Sequence, residues 1–174
     1  MLRPTTILAV LTLLTPAARG SQDAMGKLLP TKTAVKNWPQ YEGTLIYSPS
    51  ADTLHRIYDG GDAMYIEAGC VEAIQQSYRN PANKHLATVT VLRMADAAKA
   101  KAFYESWKKD VSKKPGFKQL SGLKTAGYLF SGMGSNAGYC HIKQYFVVVD
   151  VAGTSPDDKT AASLLLRNAA ARIK

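Results

Sequence analysis

The spacing of apolar and polar positions changes several times along the chain, and each change marks an element. Behind Arg3, residues Ile7 to Leu14 form a nearly unbroken apolar run that ends at Pro16-Ala17-Ala18-Arg19-Gly20. A short positive region, an apolar core of roughly 7–15 residues and small residues at the cut describe a secretory leader. The run falls well short of the ~20 apolar residues that a spanning helix needs. The pattern therefore predicts a signal peptide over 1–20, cleaved near Ser21, then a flexible lead-in over 21–37 and a single α+β domain over 38–174. It also predicts no transmembrane segment after cleavage.

Within the domain, Thr44-Leu45-Ile46-Tyr47 reads as a short strand. Leu54, Ile57 and Tyr58 share one helical face, and Met64, Tyr65 and Ala68 continue an apolar stripe after Gly60-Gly61 interrupts it. Gly69 is placed to end that stripe in the left-handed conformation. Cys70–Tyr78 and Leu86–Met94 read as a hairpin around Asn80-Pro81-Ala82-Asn83. Asp96 caps the clearest helix, where Ala100, Phe103, Tyr104, Trp107 and Val111 recur on one face and lysines fill the other. Three strands follow at about 126–131, 137–142 and 145–152, the last apolar on both faces and hence central. Ser155-Pro156-Asp157-Asp158 opens a final helix with a capping hydroxyl, Pro at the first position and two acids at the positive end of the dipole. Ala161, Leu164, Leu165 and Ala169 are expected to face inward. Hairpins separated by helices give an α+β fold: a single antiparallel sheet of about five to six strands packed by two to three helices.

The chain carries 22 Lys+Arg against 13 Asp+Glu, a formal charge of +9. Loss of the leader removes Arg3 and Arg19 and leaves +7. Such a balance favours an anionic envelope component or an acidic protein partner. Export argues against nucleic acid. Cys70 and Cys140 are the only cysteines. In an oxidising compartment an even pair suggests one disulfide, and two separate buried thiols are the alternative. Two cysteines exclude a four-thiolate metal site, and no haem-attachment motif is present.

Asp59-Gly60-Gly61-Asp62 is the most unusual local feature, because two glycines in a helical pattern cost about 1 kcal/mol each relative to Ala. It reads either as a helix corner capped by its aspartates or as a binding nest, with Tyr65 one turn further on. His55, His85 and His141 form no metal-ligand spacing, so neither metal nor cofactor is expected. Gly132-Met133-Gly134-Ser135-Asn136 lacks the Gly-Lys-Ser ending of a phosphate loop. Tyr58, Tyr65, Tyr78, Tyr104, Tyr139 and Tyr145 fall on regular elements and would line a pocket if several converged.

The segment from Asp52 to Gly69 resembles the signature of an uncharacterised bacterial exported family, a domain of unknown function. That signature has a Leu-bearing short helix, then Asn-Gly-Gly-Ala-Glu-x-Tyr, then a Gly opening a strand; it is matched here at Asp59–Tyr65. Leu28-Leu29-Pro30 with Trp38, the Val91–Asp96 step into an Ala-rich helix, and Tyr145-Phe146-Val147 resemble further parts of it, over about 28–173. Asp59 stands where the family prefers Asn, Asp62 replaces its Ala and Ala63 its Glu. The resemblance implies export and architecture.

The leading functional expectation is a non-enzymatic, periplasmic or secreted module binding a ligand or envelope partner through Asp59, Gly60, Gly61, Asp62 and Tyr65. An accessory subunit of a larger envelope complex is the alternative. An enzyme using Asp59 or Asp62 with a histidine comes third. Mass spectrometry of the exported protein is expected to give a new N-terminus near Ser21; an intact Met1 contradicts the leader assignment.

Overall fold

The computed structural model describes residues 16–174, so most of the expected leader lies outside the described residues. Helix α1 spans Pro16–Gly26, running through the expected cut before Ser21. A short strand β1 (Ile46–Ser48) precedes a 3-10 turn over Ala51–Arg56 and the short helix α2 (Ala63–Glu67). The long hairpin β2 (Cys70–Arg79) and β3 (Leu86–Met94) leads into α3 (Ala97–Val111). Then come β4 (Phe117–Gln119), β5 (Gly127–Gly132), β6 (Ser135–Ile142), β7 (Tyr145–Ala152) and α4 (Pro156–Arg172).

All seven strands join one antiparallel sheet in the order β1-β2-β3-β7-β6-β5-β4. The α+β class, the single antiparallel sheet and the central place of β7 are as expected. The strand count is higher, because β4 is three residues long, two of them polar, with no alternation to mark it. The helix count is higher because α1 spans the end of the segment expected to be the leader and the start of the expected lead-in.

Helices cover both faces. On one, α1 and α4 bury Met25, Leu165, Leu166 and Ala169 against Ile74, Val89, Val91, Val147, Val149 and Val151. On the other, the 3-10 turn, α2 and α3 bury Leu54, Tyr65, Phe103 and Tyr104 against Ala73, Leu92, Tyr128 and Phe146. Asp96 Oδ1 accepts from the Lys99 amide at 2.7 Å and caps α3; Ser155 caps α4. Leu164, expected inward, is 40% exposed, and Leu166 takes the core position, so the buried stripe of α4 is rotated from the expected one.

Residues 21–37 pack rather than trail. Met25, Leu29 and Val35 are buried, and the Pro30 carbonyl accepts from the Tyr78 hydroxyl at 2.7 Å and the Gln40 amide at 2.9 Å. The Arg172 guanidinium holds the Lys27 carbonyl at 2.6 Å. Among the described residues no helix is long and apolar enough to cross a membrane.

The disulfide expectation is corrected: Cys70 and Cys140 are buried free thiols. Cys140 lies on β6 and Cys70 at the start of β2, three strands away, or ~14 Å in the hydrogen-bonding direction alone. Disulfides close Cα pairs within about 7 Å. The faces differ too. A register irregularity between Cys70 and Glu72 turns Cys70 into the α3-side core, whereas Cys140 belongs to the α4-side core. Burial pushes the Cys140 thiol up to about 12 and the Cys70 thiol up to about 11. Alkylation under denaturing, non-reducing conditions is expected to label both thiols. The folded protein at pH 8 is expected to resist labelling; a native product one disulfide lighter overturns this geometry.

Candidate functional site

Coverage of the α3-side face is incomplete, and the strand register shows where it stops. Across β3, β7 and β6, Leu92, Phe146 and His141 stand opposite one another in a row that α3 covers. The next row on that face is Gln75, Thr90, Val148 and Tyr139, and the one after includes Thr88 and Asp150. Along β7 the exposure rises from buried Phe146 through half-buried Val148 to exposed Asp150. The side chains become polar as the helix runs out. These rows floor a pocket of about 510 Å³, within the usual range for small-molecule sites.

Its walls are aromatic. Tyr58, just after the 3-10 turn, stacks on Tyr65 of α2 with ring centroids 3.9 Å apart and planes 11° from parallel. Trp107 of α3 stands 6.4 Å from Tyr65 and 5.4 Å from Tyr139. Trp107, expected in the core, is half-buried and faces the pocket as well as Phe103, 6.0 Å away. In the floor, the Gln75 side-chain amide donates to Thr90 Oγ1 at 3.0 Å. Among the described residues Asp150 is the one charged side chain lining the pocket. Reduced solvation raises its carboxyl above the ordinary value, with Ser135 partly offsetting the shift. Burial, reinforced by the Asp150 charge, pushes the Tyr139 phenol up to about 12. Burial and its neighbour Tyr65 hold Tyr58 well above the ordinary phenol value. Both phenols are therefore neutral hydrogen-bond donors across the physiological range.

Of the residues singled out from sequence, Tyr65 forms part of the pocket wall. Asp59, Gly60, Gly61 and Asp62 form the turn entering α2 and lie outside the lining. Gly60 adopts φ +74°, and a Cβ at Gly60 or Gly61 would meet open space, so no close backbone approach demands glycine here. Tyr58, Tyr65 and Tyr139 converge; Tyr78, Tyr104 and Tyr145 do not line the pocket. Gln75, Thr88, Thr90 and Asp150 escaped the sequence reading, because ordinary strand alternation gives no sign of which rows a helix leaves bare.

The histidines do not meet Asp59 or Asp62. His55 Nδ1 lies 3.0 Å from the Asp52 carbonyl oxygen, and the His141 ring packs 4.9 Å from Tyr104. His85 pairs with Asp158 at 3.0 Å. Asp158 also accepts the Ser155 hydroxyl at 2.7 Å and the Ser155 amide at 2.9 Å. Because Ser155 donates to the aspartate and not to the imidazole, this group caps α4 and lacks the nucleophile-to-base contact of a hydrolase. Gly153 makes room for it: at φ +97°, a Cβ there would stand 2.4 Å from both Asp158 Oδ2 and His85 Nδ1. Among the described residues no three His, Cys, Asp or Glu side chains come together as a metal site.

A second buried carboxylate, Glu72, accepts from the Ser21 and Tyr47 hydroxyls and from Arg93. Burial alone raises both carboxylates, but these donors outweigh it and hold Glu72 and Asp158 below their ordinary values. Ordinary values for the unfolded chain are about 4.3 and 3.9. As pH falls below about 5, the unfolded chain binds protons first, so the stability both groups supply is present above that range and lost as pH drops through their folded values. Urea midpoints measured from pH 7 to pH 3 are expected to fall steadily. Glu72→Gln is expected to cost about 1–3 kcal/mol at neutral pH and to flatten the acid limb. An unchanged limb removes Glu72 from this role.

No family model matches the chain, and no curated protein matches it. Among solved structures it is similar to the extracellular domain of PknH from Mycobacterium tuberculosis, with a TM-score of 0.47 and 12% identity, over 90% of this chain and 92% of that one.

Proposed function

We propose that this chain is an exported, non-enzymatic module that binds a small ligand in the aromatic pocket between α2, α3 and the bare rows of the sheet. Cleavage near Ser21, a periplasmic or secreted location and membership of the uncharacterised exported family belong to the same reading. The observation that carries it is the convergence of Tyr58, Tyr65, Trp107 and Tyr139 over a polar floor. Aromatic faces take the flat or apolar body of a ligand, while Gln75, Thr88 and Thr90 fix its polar edge. Asp150, the pocket's one charge in a chain of net +9, favours a ligand bearing a cationic or hydrogen-bond-donating head. Aromatic faces attract cations as well.

The exposed large apolar residues, among them Tyr41, Leu45, Met64, Leu86, Met133 and Leu164, are spread over several elements, which favours a ligand pocket over a docking face for a larger complex. The Asp59–Asp62 turn borders this region through Tyr58 and Tyr65 and serves the site by presenting those two rings.

Tyramine and its uncharged analogue 4-ethylphenol separate the contributions. In amide-resolved NMR titrations tyramine is expected to shift Gln75, Thr88, Thr90 and Val148 and to saturate at about 1 mM, the affinity small fragments reach. Asp150→Asn is expected to weaken it by about fivefold, and 4-ethylphenol is expected to bind at the level of that variant. Shifts scattered outside the pocket, or none with either compound, overturn the proposal.

A further inference from the structure

A second concavity lies on the other face of the sheet, at the opposite end of β7. The loop after β4, the β6–β7 turn and the last turn of α4 enclose about 530 Å³. Leu123, Ile142, Ala170 and Ile173 line it with hydrocarbon, and all four belong to the α4-side core or pack against it. The loop is anchored: Arg167 donates to the Ser121 carbonyl at 2.8 Å, and the Thr125 hydroxyl donates to the His141 carbonyl.

The rim has the opposite character. Lys124, Lys143, Arg167 and Lys174 surround the opening, and among the described residues no acidic side chain lines it and none of these cations forms an ion pair. The C-terminal end of α4 contributes about half a negative charge and the α-carboxylate of Lys174 about one more, together less than half of the charge of four cations. Lys143 also occupies a turn position with φ +50°, where hairpin geometry favours Asn or Gly. Turn geometry therefore does not account for a lysine there.

We propose that this trough binds an anionic single-chain amphiphile, with its acyl chain along the apolar floor and its carboxylate or phosphate head against the cationic rim. A free inorganic anion leaves the hydrocarbon floor unused. A neutral lipid leaves the cations uncompensated. A flat bilayer surface does not enter a concavity closed on three sides. This site is independent of the aromatic pocket.

Isothermal titration of the whole protein with decanoate, dodecanoate and dodecyl phosphate, each below its micelle concentration, tests the proposal. One saturable site is expected. Each buried methylene contributes about 0.8 kcal/mol, so dodecanoate is expected to bind about fifteenfold tighter than decanoate. Lys124→Glu with Lys143→Glu is expected to weaken binding at least tenfold, with the thermal midpoint reporting that the fold is kept. Ala171→Trp, at an exposed lining position, is expected to block the trough without entering the core. The proposal is overturned if decanoyl glycerol binds as tightly as decanoate. It is overturned equally if inorganic phosphate competes at the same concentration as dodecyl phosphate, or if binding appears only with phosphatidylglycerol vesicles and not with monomeric amphiphile.

Discussion

The structure depends on β7 being apolar on two faces along only part of its length. Val147, Val149 and Val151 point to one side and are all buried beneath α4. Phe146, Val148 and Asp150 point to the other and grade from buried to exposed. A strand of this kind needs helices on both faces, which is unusual for an antiparallel sheet, where one face is commonly solvated. Cover on the α3 side is required only where the strand is apolar. Past Phe146 the rows grow more polar, α3 reaches the next row through Trp107 over Tyr139, and the row beyond, with Thr88 and Asp150, is left bare. The aromatic pocket follows from that mismatch between sheet length and helix cover.

Burial of charge follows similar logic. Glu72 and Asp158 are carboxylates at positions closed to solvent, which is tolerated only when each lone pair finds a donor. Asp158 is satisfied by Ser155 and His85, so the start of α4 is fastened to the end of β3's approach loop. Glu72 is satisfied by residues of α1, β1 and β3, so it fastens the N-terminal helix to the sheet edge. Both groups hold elements of the fold together, and Asp158 does so as part of the α4 cap.

Much of this was legible in the sequence where a rule is local. The β2–β3 hairpin, the meander into β7, the caps Asp96 and Ser155 and the corner at Gly60-Gly61 all rest on spacing within about ten residues. What was not legible depends on distant partners. His85 and Asp158 are 73 residues apart. β4 is too short to alternate. Leu164 and Leu166 are equally apolar, and only the placement of α4 on the sheet decides which is buried. The sheet order sets Cys70 and Cys140 three strands apart and the irregularity near Cys70 turns them to different faces, which together overturn the disulfide expectation. Residues 21–37 looked polar because their few apolar anchors, Met25, Leu29 and Val35, are widely spaced. Of the candidate site, Tyr58, Tyr65 and Tyr139 were named as rings that could line a pocket, but not their polar neighbours Gln75, Thr88, Thr90 and Asp150, which come from three strands.

Charge along the chain is also sorted in space. One carboxylate serves the aromatic pocket, whereas four cations ring the trough at the opposite corner of the β6–β7 hairpin. Part of that sorting has a structural cause: Lys174 follows the negative end of α4, where a cation is favoured by about 0.3–1 kcal/mol, and Arg167 is held by the Ser121 carbonyl. Lys124 and Lys143 have no such cause. They belong to a loop and a turn, they approach the same opening from different elements, and each adds repulsion to a cluster that no acidic side chain of the described residues lines. The helix end favours Lys174 and the Ser121 carbonyl holds Arg167, so Lys124 and Lys143 are the two exposed cations that the proposed head group would neutralise.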